Sequence, residues 1–175
     1  MFAAGAVAVL AVVVVIVAAN IVSSRPTTSV DDPLALSAVE APGATAPGCT
    51  ALTAALPDEL GGLPRRTIEH GEDPSLLGVA AWGEPAVVLR CGVPTPAELT
   101  CTAALQVVDG VAWLPLSTGG DTTYFLVDRS VRVALTVPGA VSSTGPWQEA
   151  SKLIAATLPE RDVCQNGVPL PADGE

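Results

Sequence analysis

Three arginines carry the chemistry most open to a ligand in this chain. Arg90 stands in the apolar run Ala86-Val87-Val88-Leu89-Arg90-Cys91, and Arg65-Arg66 form the densest positive site of an acidic domain. A guanidinium fork suits a carboxylate or a phosphate, so each is a candidate anion-binding group. Each also has a plainer explanation. Arg90 can lay its stem along apolar neighbours or pair with an acid. Arg65 and Arg66 have Asp58, Glu59 and Glu69 nearby in sequence as ion-pair partners. Adjacent strand residues point to opposite faces, so at most one of Arg65 and Arg66 reaches a given ligand. Trp82 and Trp113 complete the candidate binding set. As a core residue, Trp82 would instead bury its ring and give its indole N–H to a carbonyl.

Most catalytic chemistries lack their parts. Nucleophilic catalysis needs a nucleophile with a base beside it, but there is no Gly-x-Ser-x-Gly. The single histidine, His70, lies in a Glu-rich loop with no serine motif to pair with. One histidine and no Cys-x-x-Cys argue against zinc and against thioredoxin-like redox chemistry. Ser117-Thr-Gly-Gly-Asp121 lacks the Gly-Lys-Ser/Thr ending of a P-loop. No cofactor is indicated. Glycoside hydrolysis needs two carboxylates; eighteen acids are present, and Glu84 with Asp128 is the pair retained for a wall-polymer hydrolase. That is the enzymatic alternative to a non-enzymatic binding or assembly module, which is the preferred reading. A structural subunit of a membrane complex is a third.

The charge and the cysteines indicate a compartment. The net charge is −10, and every acidic residue lies beyond position 30. An acidic domain repels polyphosphate, which excludes nucleic acid as a natural partner. Phe2 to Val22 contains no charged residue. Its length in helical form, about 30 Å, matches a bilayer core. A cleaved secretory signal has a basic start and a shorter apolar core. Residues 1–22 are therefore expected to form an uncleaved transmembrane signal anchor. Secretion after cleavage near Val17-Ala18-Ala19 is the alternative. The four cysteines, Cys49, Cys91, Cys101 and Cys164, all follow this segment. An even number behind an export signal suggests two disulfides on the outer side of the plasma membrane. Of three possible pairings, Cys91–Cys101 and Cys49–Cys164 are preferred, the first for its short loop and the second for joining the domain's ends.

The elements that must position these residues follow from period and punctuation. Residues 23–48, rich in Ser, Thr, Pro, Ala and Gly, read as a flexible linker. A domain over 49–160 begins with a helix placing Cys49, Leu52 and Leu56 on one face. Arg65-Arg66-Thr67-Ile68 begins a strand. Val79–Trp82 and Ala86–Cys91 are strands around Gly83-Glu84-Pro85, with Val87, Leu89 and Cys91 on one face and Val88 and Arg90 on the other. Leu105–Val108 and Val111–Leu114 flank Asp109-Gly110, a type I′ hairpin signal. Thr122–Val127 and Ser130–Val137 form another antiparallel pair. In the second, Val131, Val133, Leu135 and Val137 face the core, and Arg132, Ala134 and Thr136 a wetter side. A helix starting near Pro146 carries Trp147, Ala150, Ile154 and Leu158 on one face, with Trp147 as its anchor on the sheet. Residues 161–175 are a tail tethered by Cys164. The fold class is α+β: a small antiparallel sheet flanked by an N-terminal and a C-terminal helix, behind one transmembrane helix.

Four segments together resemble a known family. Ala80–Val93 (AAWGEPAVVLRCGV), Leu56–Arg66 (LPDELGGLPRR), Asp109–Trp113 (DGVAW) and Asp128–Pro138 (DRSVRVALTVP) resemble the signature of domain-of-unknown-function family 3515. The resemblance covers about Cys49 to Leu158. It implies an actinobacterial cell-envelope protein of this architecture. The anchor, the spacer, the expected disulfides and the absent catalytic set suggest an envelope protein or cell-wall component as partner. It implies no activity and no catalytic residues.

Overall fold

A computed structural model describes residues 32–69, 71 and 73–173. The expected membrane anchor, the first part of the linker, His70 and Glu72 lie outside the described residues. Among the described residues no helix is long and apolar enough to cross a membrane.

The sheet is built from three tight reversals. Strands β3 (Val79–Trp82) and β4 (Val87–Cys91) pair across the Gly83–Pro85 turn, whose Glu84–Pro85 bond is cis. Strands β5 (Gln106–Val108) and β6 (Val111–Thr118) pair across Asp109-Gly110. Both turn residues have positive φ, as a type I′ turn requires. β6 then pairs with β7 (Asp121–Leu126). β8 (Val133–Val137) returns beside β7 and also pairs with β4. The six-stranded order is β3-β4-β8-β7-β6-β5, antiparallel throughout. Two short hairpins lie outside it, β1 (Glu59–Leu60) with β2 (Leu63–Pro64), and β9 (Cys164–Gln165) with β10 (Val168–Pro169).

Both helices pack on one face of this sheet. α1 (Pro47–Ala55) buries Cys49 and Leu52, and α2 (Thr144–Thr157) buries Ala150, Ser151 and Ile154. These join Val87, Leu89, Trp113, Leu126, Val133 and Leu135 in a single core. Trp147 stacks on Tyr124 of β7 with ring centroids 4.3 Å apart, the anchoring role its position suggested. The expected flanking arrangement is thus corrected: the helices touch each other and share one face. The cause is the alternation in β4 and β8, which concentrates their largest apolar side chains on that side.

The other face is covered by irregular chain. Residues 34–43 cross it as a strap. Leu34 bridges Ile68, with Leu34 N–H donating to Thr67 O and Glu69 N–H to Leu34 O. At the far end Gly43 N–H donates to Gly92 O, 3.0 Å. Gly92 has φ +82°, and Gly43 passes so close that no side chain fits between them. The second half of the expected free linker is therefore packed onto the domain. The connection from β4 to β5, residues 92–105, lays Leu99 against Leu114 and Val127.

The disulfides are Cys49–Cys91 and Cys101–Cys164, so the preferred pairings are corrected. Nearness in sequence was the wrong guide. Cys91 ends β4 facing the helices and meets α1, whereas Cys101 lies on the crossing connection and meets the tail. Each closure contributes about 4 kcal/mol by chain entropy. Cys49 and Cys91 are fully buried, while Cys101 is exposed and Cys164 half-buried. Mild reduction of the folded protein should therefore open Cys101–Cys164 first. Peptide mapping after partial alkylation checks this, and labelled Cys49 with intact Cys101–Cys164 would contradict it.

Arg132 was expected on the wetter side and is fully buried. It precedes β8, in a loop covered by the tail and the crossing connection. Its guanidinium donates to Val127 O, Arg129 O and Leu170 O, and its Nε to Thr95 Oγ1. Arg132→Met should destabilise by about 3 kcal/mol or more, because buried carbonyls lose their donors. Urea unfolding checks this; an unchanged midpoint would contradict it.

Candidate functional site

The five candidate binding residues do not converge. Arg65, Arg66 and Trp82 meet near the β3–β4 turn. Trp82 is fully buried and its indole N–H donates to Pro57 O, 3.1 Å. Arg65 lies over that ring, 5.1 Å from its centroid, and donates to the same carbonyl, 3.3 Å. Arg66 is buried against Glu84 (2.6 Å), Gly83 O (3.1 Å) and Asp32 O (3.0 Å). The two side chains diverge, although the strand expected from Arg65 to Ile68 does not form: Arg65 and Ile68 make only isolated bridges. The ion pair of Arg66 is with Glu84 rather than with Asp58, Glu59 or Glu69. Trp113 is fully buried under α2 and donates to Ser151 Oγ, 3.0 Å. Both tryptophans are core residues with no exposed surface.

Arg90 is different. It stands on the sheet face opposite the helices, in the gap between the strap and the crossing connection. There the sheet leaves a groove of about 390 Å³. Its floor is Arg90, Ala134, Thr136, Thr123 and Phe125, residues that the pairings of β4, β8 and β7 set side by side. Val39 walls one side and Pro94–Pro96 the other. Arg90 is the single charged residue among the described lining residues. Its Nη2 donates to Ser37 O, 3.0 Å. Its Nη1 is shielded from solvent and has no hydrogen-bond partner among the described residues. Burial lowers its pKa from the ordinary guanidinium value. Arginine stays charged under such a shift, so an incoming anion offsets the cost of that burial. Thr123 and Thr136 hydroxyls bond to each other across the strands, 3.0 Å.

Sequence alternation placed Arg90, Ala134 and Thr136 on this side. Phe125, Thr123, Val39 and Pro94–Pro96 were not recognised as a site. Their convergence depends on β8 lying between β4 and β7, for which the chain carries no local signal. A second hollow of about 360 Å³, bounded by α1 and Leu77, is lined among the described residues by Ala, Thr and Leu.

Glu84 and Asp128 stand at opposite ends of the sheet. Register puts the length of β4 and β8 between them, about 15 Å or more. Glu84 is bound to Arg66. Asp128 is nearly buried, accepting from Ala112 N–H (2.8 Å) and pairing with Arg129 (2.9 Å). The two face no common cleft. Among the described residues no cluster of metal-ligating side chains occurs.

The fold and groove define a disulfide-bonded α+β domain with a guanidinium-floored recess. A family model described as "Protein of unknown function (DUF3515)" matches residues 5–163, and the chain belongs to that family. No curated protein and no solved structure matches it.

Burial raises the pKa of Asp128, and the bonds from Ala112 and Arg129 only partly oppose it. The folded state thus holds this proton more tightly than the unfolded chain. The resulting stability is complete below the ordinary aspartate range of about 4 and is lost as pH rises through the higher folded value. The stability of the wild type relative to Asp128→Asn should therefore fall from about pH 3.5 to about pH 7, to be read from urea midpoints of both proteins. A difference that grows with pH would contradict it.

Proposed function

We propose that the protein is a membrane-tethered, non-enzymatic binding module of the bacterial cell envelope. Residues 1–22 form a single-pass anchor in the plasma membrane, and the disulfide-bonded domain lies outside the cytoplasm. The partner is an envelope protein or a cell-wall component that reaches the groove over Arg90. One observation carries this reading: a recess built around a lone guanidinium with a buried, uncommitted N–H. Buried donors are almost always paired in folded proteins, so an acceptor that reached Arg90 Nη1 beside the recess would complete its bonding. The apolar segment and the two disulfides support the location.

Thermal unfolding of the oxidised full-length chain tests it, against wall peptides, glycan fragments, anionic polymers and lipids. A ligand bound only by the native state adds about 2.7 kcal/mol at a hundredfold excess over its dissociation constant. A raised midpoint is expected with at least one component, and Arg90→Ala should abolish it. No shift with any component would overturn the reading.

A further inference from the structure

We propose that the groove over Arg90 seats the carboxylate of a small monoanionic acid with a largely apolar body. This carboxylate takes the place of the Ser37 carbonyl on the guanidinium and unseats the strap. The inference rests on the binding-module reading and adds the ligand's class and the consequence of its arrival.

The guanidinium sets the charged end. Its Nη2 already holds an oxygen, that of Ser37, and its Nη1 has no described partner. A carboxylate brings two oxygens at the spacing of the fork and satisfies both in a bidentate pair. The protein's charge sets the valence. A chain with net charge −10 repels a dianion more strongly than a monoanion, and the groove offers one cation to offset that repulsion. The remaining walls set the body. Phe125, Ala134, Val93 and the two prolines are apolar, while the Thr123–Thr136 hydroxyl pair supplies a polar point beside them. The volume lies near the low end of the roughly 300–1,000 Å³ range of small-molecule sites.

The strap sets the consequence. It is clasped at Leu34 and at Gly43. Between the clasps, the one described hydrogen bond it receives from the domain is that of Arg90 to Ser37 O. Leu36 adds a partly buried apolar contact beside Ala86 and Val88, and Ser37–Glu40 are exposed. The Ser37 carbonyl is therefore a built-in competitor at the same N–H group. Competition of this kind lowers apparent affinity by the fraction of molecules whose strap is lifted. Loosening the strap must then tighten binding, an effect that a merely structural segment would not have.

The test is titration calorimetry on the oxidised full-length chain in detergent. The probes are N-acetylalanine, its uncharged amide and inorganic phosphate. N-acetylalanine should bind, the amide should not, and phosphate should bind more weakly. Arg90→Gln and Arg90→Lys should each weaken N-acetylalanine about tenfold or more; the Lys variant keeps the charge and guards against a folding defect. Leu36→Ser should tighten it. Undiminished binding by Arg90→Lys, or equal binding of the amide, would overturn recognition by the fork. Tighter binding of phosphate would overturn the ligand class. So would silence from N-acetylalanine beside an envelope component whose shift Arg90→Gln abolishes, and the module reading would then stand. Unchanged or weaker binding by Leu36→Ser would overturn displacement of the strap. Silence from every probe and every envelope component would overturn both readings.

Discussion

β8 enters the sheet last in the chain and pairs on both sides, with β4 and with β7. Much of the remaining structure follows from that insertion. A strand between two others must be apolar on the helix side, and Val133, Leu135 and Val137 meet that demand. Burying three such side chains contributes roughly 5–9 kcal/mol before conformational entropy is charged. The insertion also separates β4 from its successor β5, which lies at the far edge. The chain must therefore cross the sheet between Gly92 and Leu105. With both helices on one side, the crossing takes the other side, and the strap shares it. The groove is the space these two irregular segments leave uncovered.

What the sequence revealed and what it hid divide along the same line. Local signals were readable. Asp109-Gly110 announced its turn, the alternation in Val87–Cys91 and Val131–Val137 gave the buried face, and the spacing from Trp147 to Leu158 gave α2. Pairings between distant segments were not. Cys91 and Cys101 are close in sequence, yet they lie on opposite sides of the sheet. Arg132 continues the alternation of β8 as an outward residue, yet the tail closes over it through Leu170. The strap was read as linker because it has no apolar period; it is fixed by backbone bonds at Leu34 and Gly43, which no side-chain pattern reports. The groove depends on all of these at once.

The arginines show how an acidic chain uses scarce positive charge. Arg66 and Arg129 each pair with an acid, and Arg132 is held by a ring of carbonyls. Removing any of them leaves buried acceptors without donors, so their work is structural. Arg65 is spent on the Trp82 face and the Pro57 carbonyl. Arg90 is the exception in setting: it lies on the floor of a groove, is partly desolvated, is bound to one exposed carbonyl, and has no described partner at Nη1. The neighbouring Thr123 and Thr136 hydroxyls bond to each other.

The strap gives that exception a direction. It is the stretch through which the domain continues toward the N-terminal segment, and its hold on the sheet is uneven. The clasp at Gly43 is a backbone bond in a place too tight for any side chain, and the clasp at Leu34 is a pair of backbone bonds. The middle depends on Leu36 and on the Arg90–Ser37 contact. Under the proposed displacement, a segment with firm ends and a weak centre would bow outward between Leu34 and Gly43. Occupancy of the groove would then be reported as a change in the shape of residues 35–42 on the surface, with the core undisturbed. A partner reading that surface would sense ligand without touching it, which requires only that the strap have two discrete seatings differing in free energy by no more than the ligand's own preference for one of them.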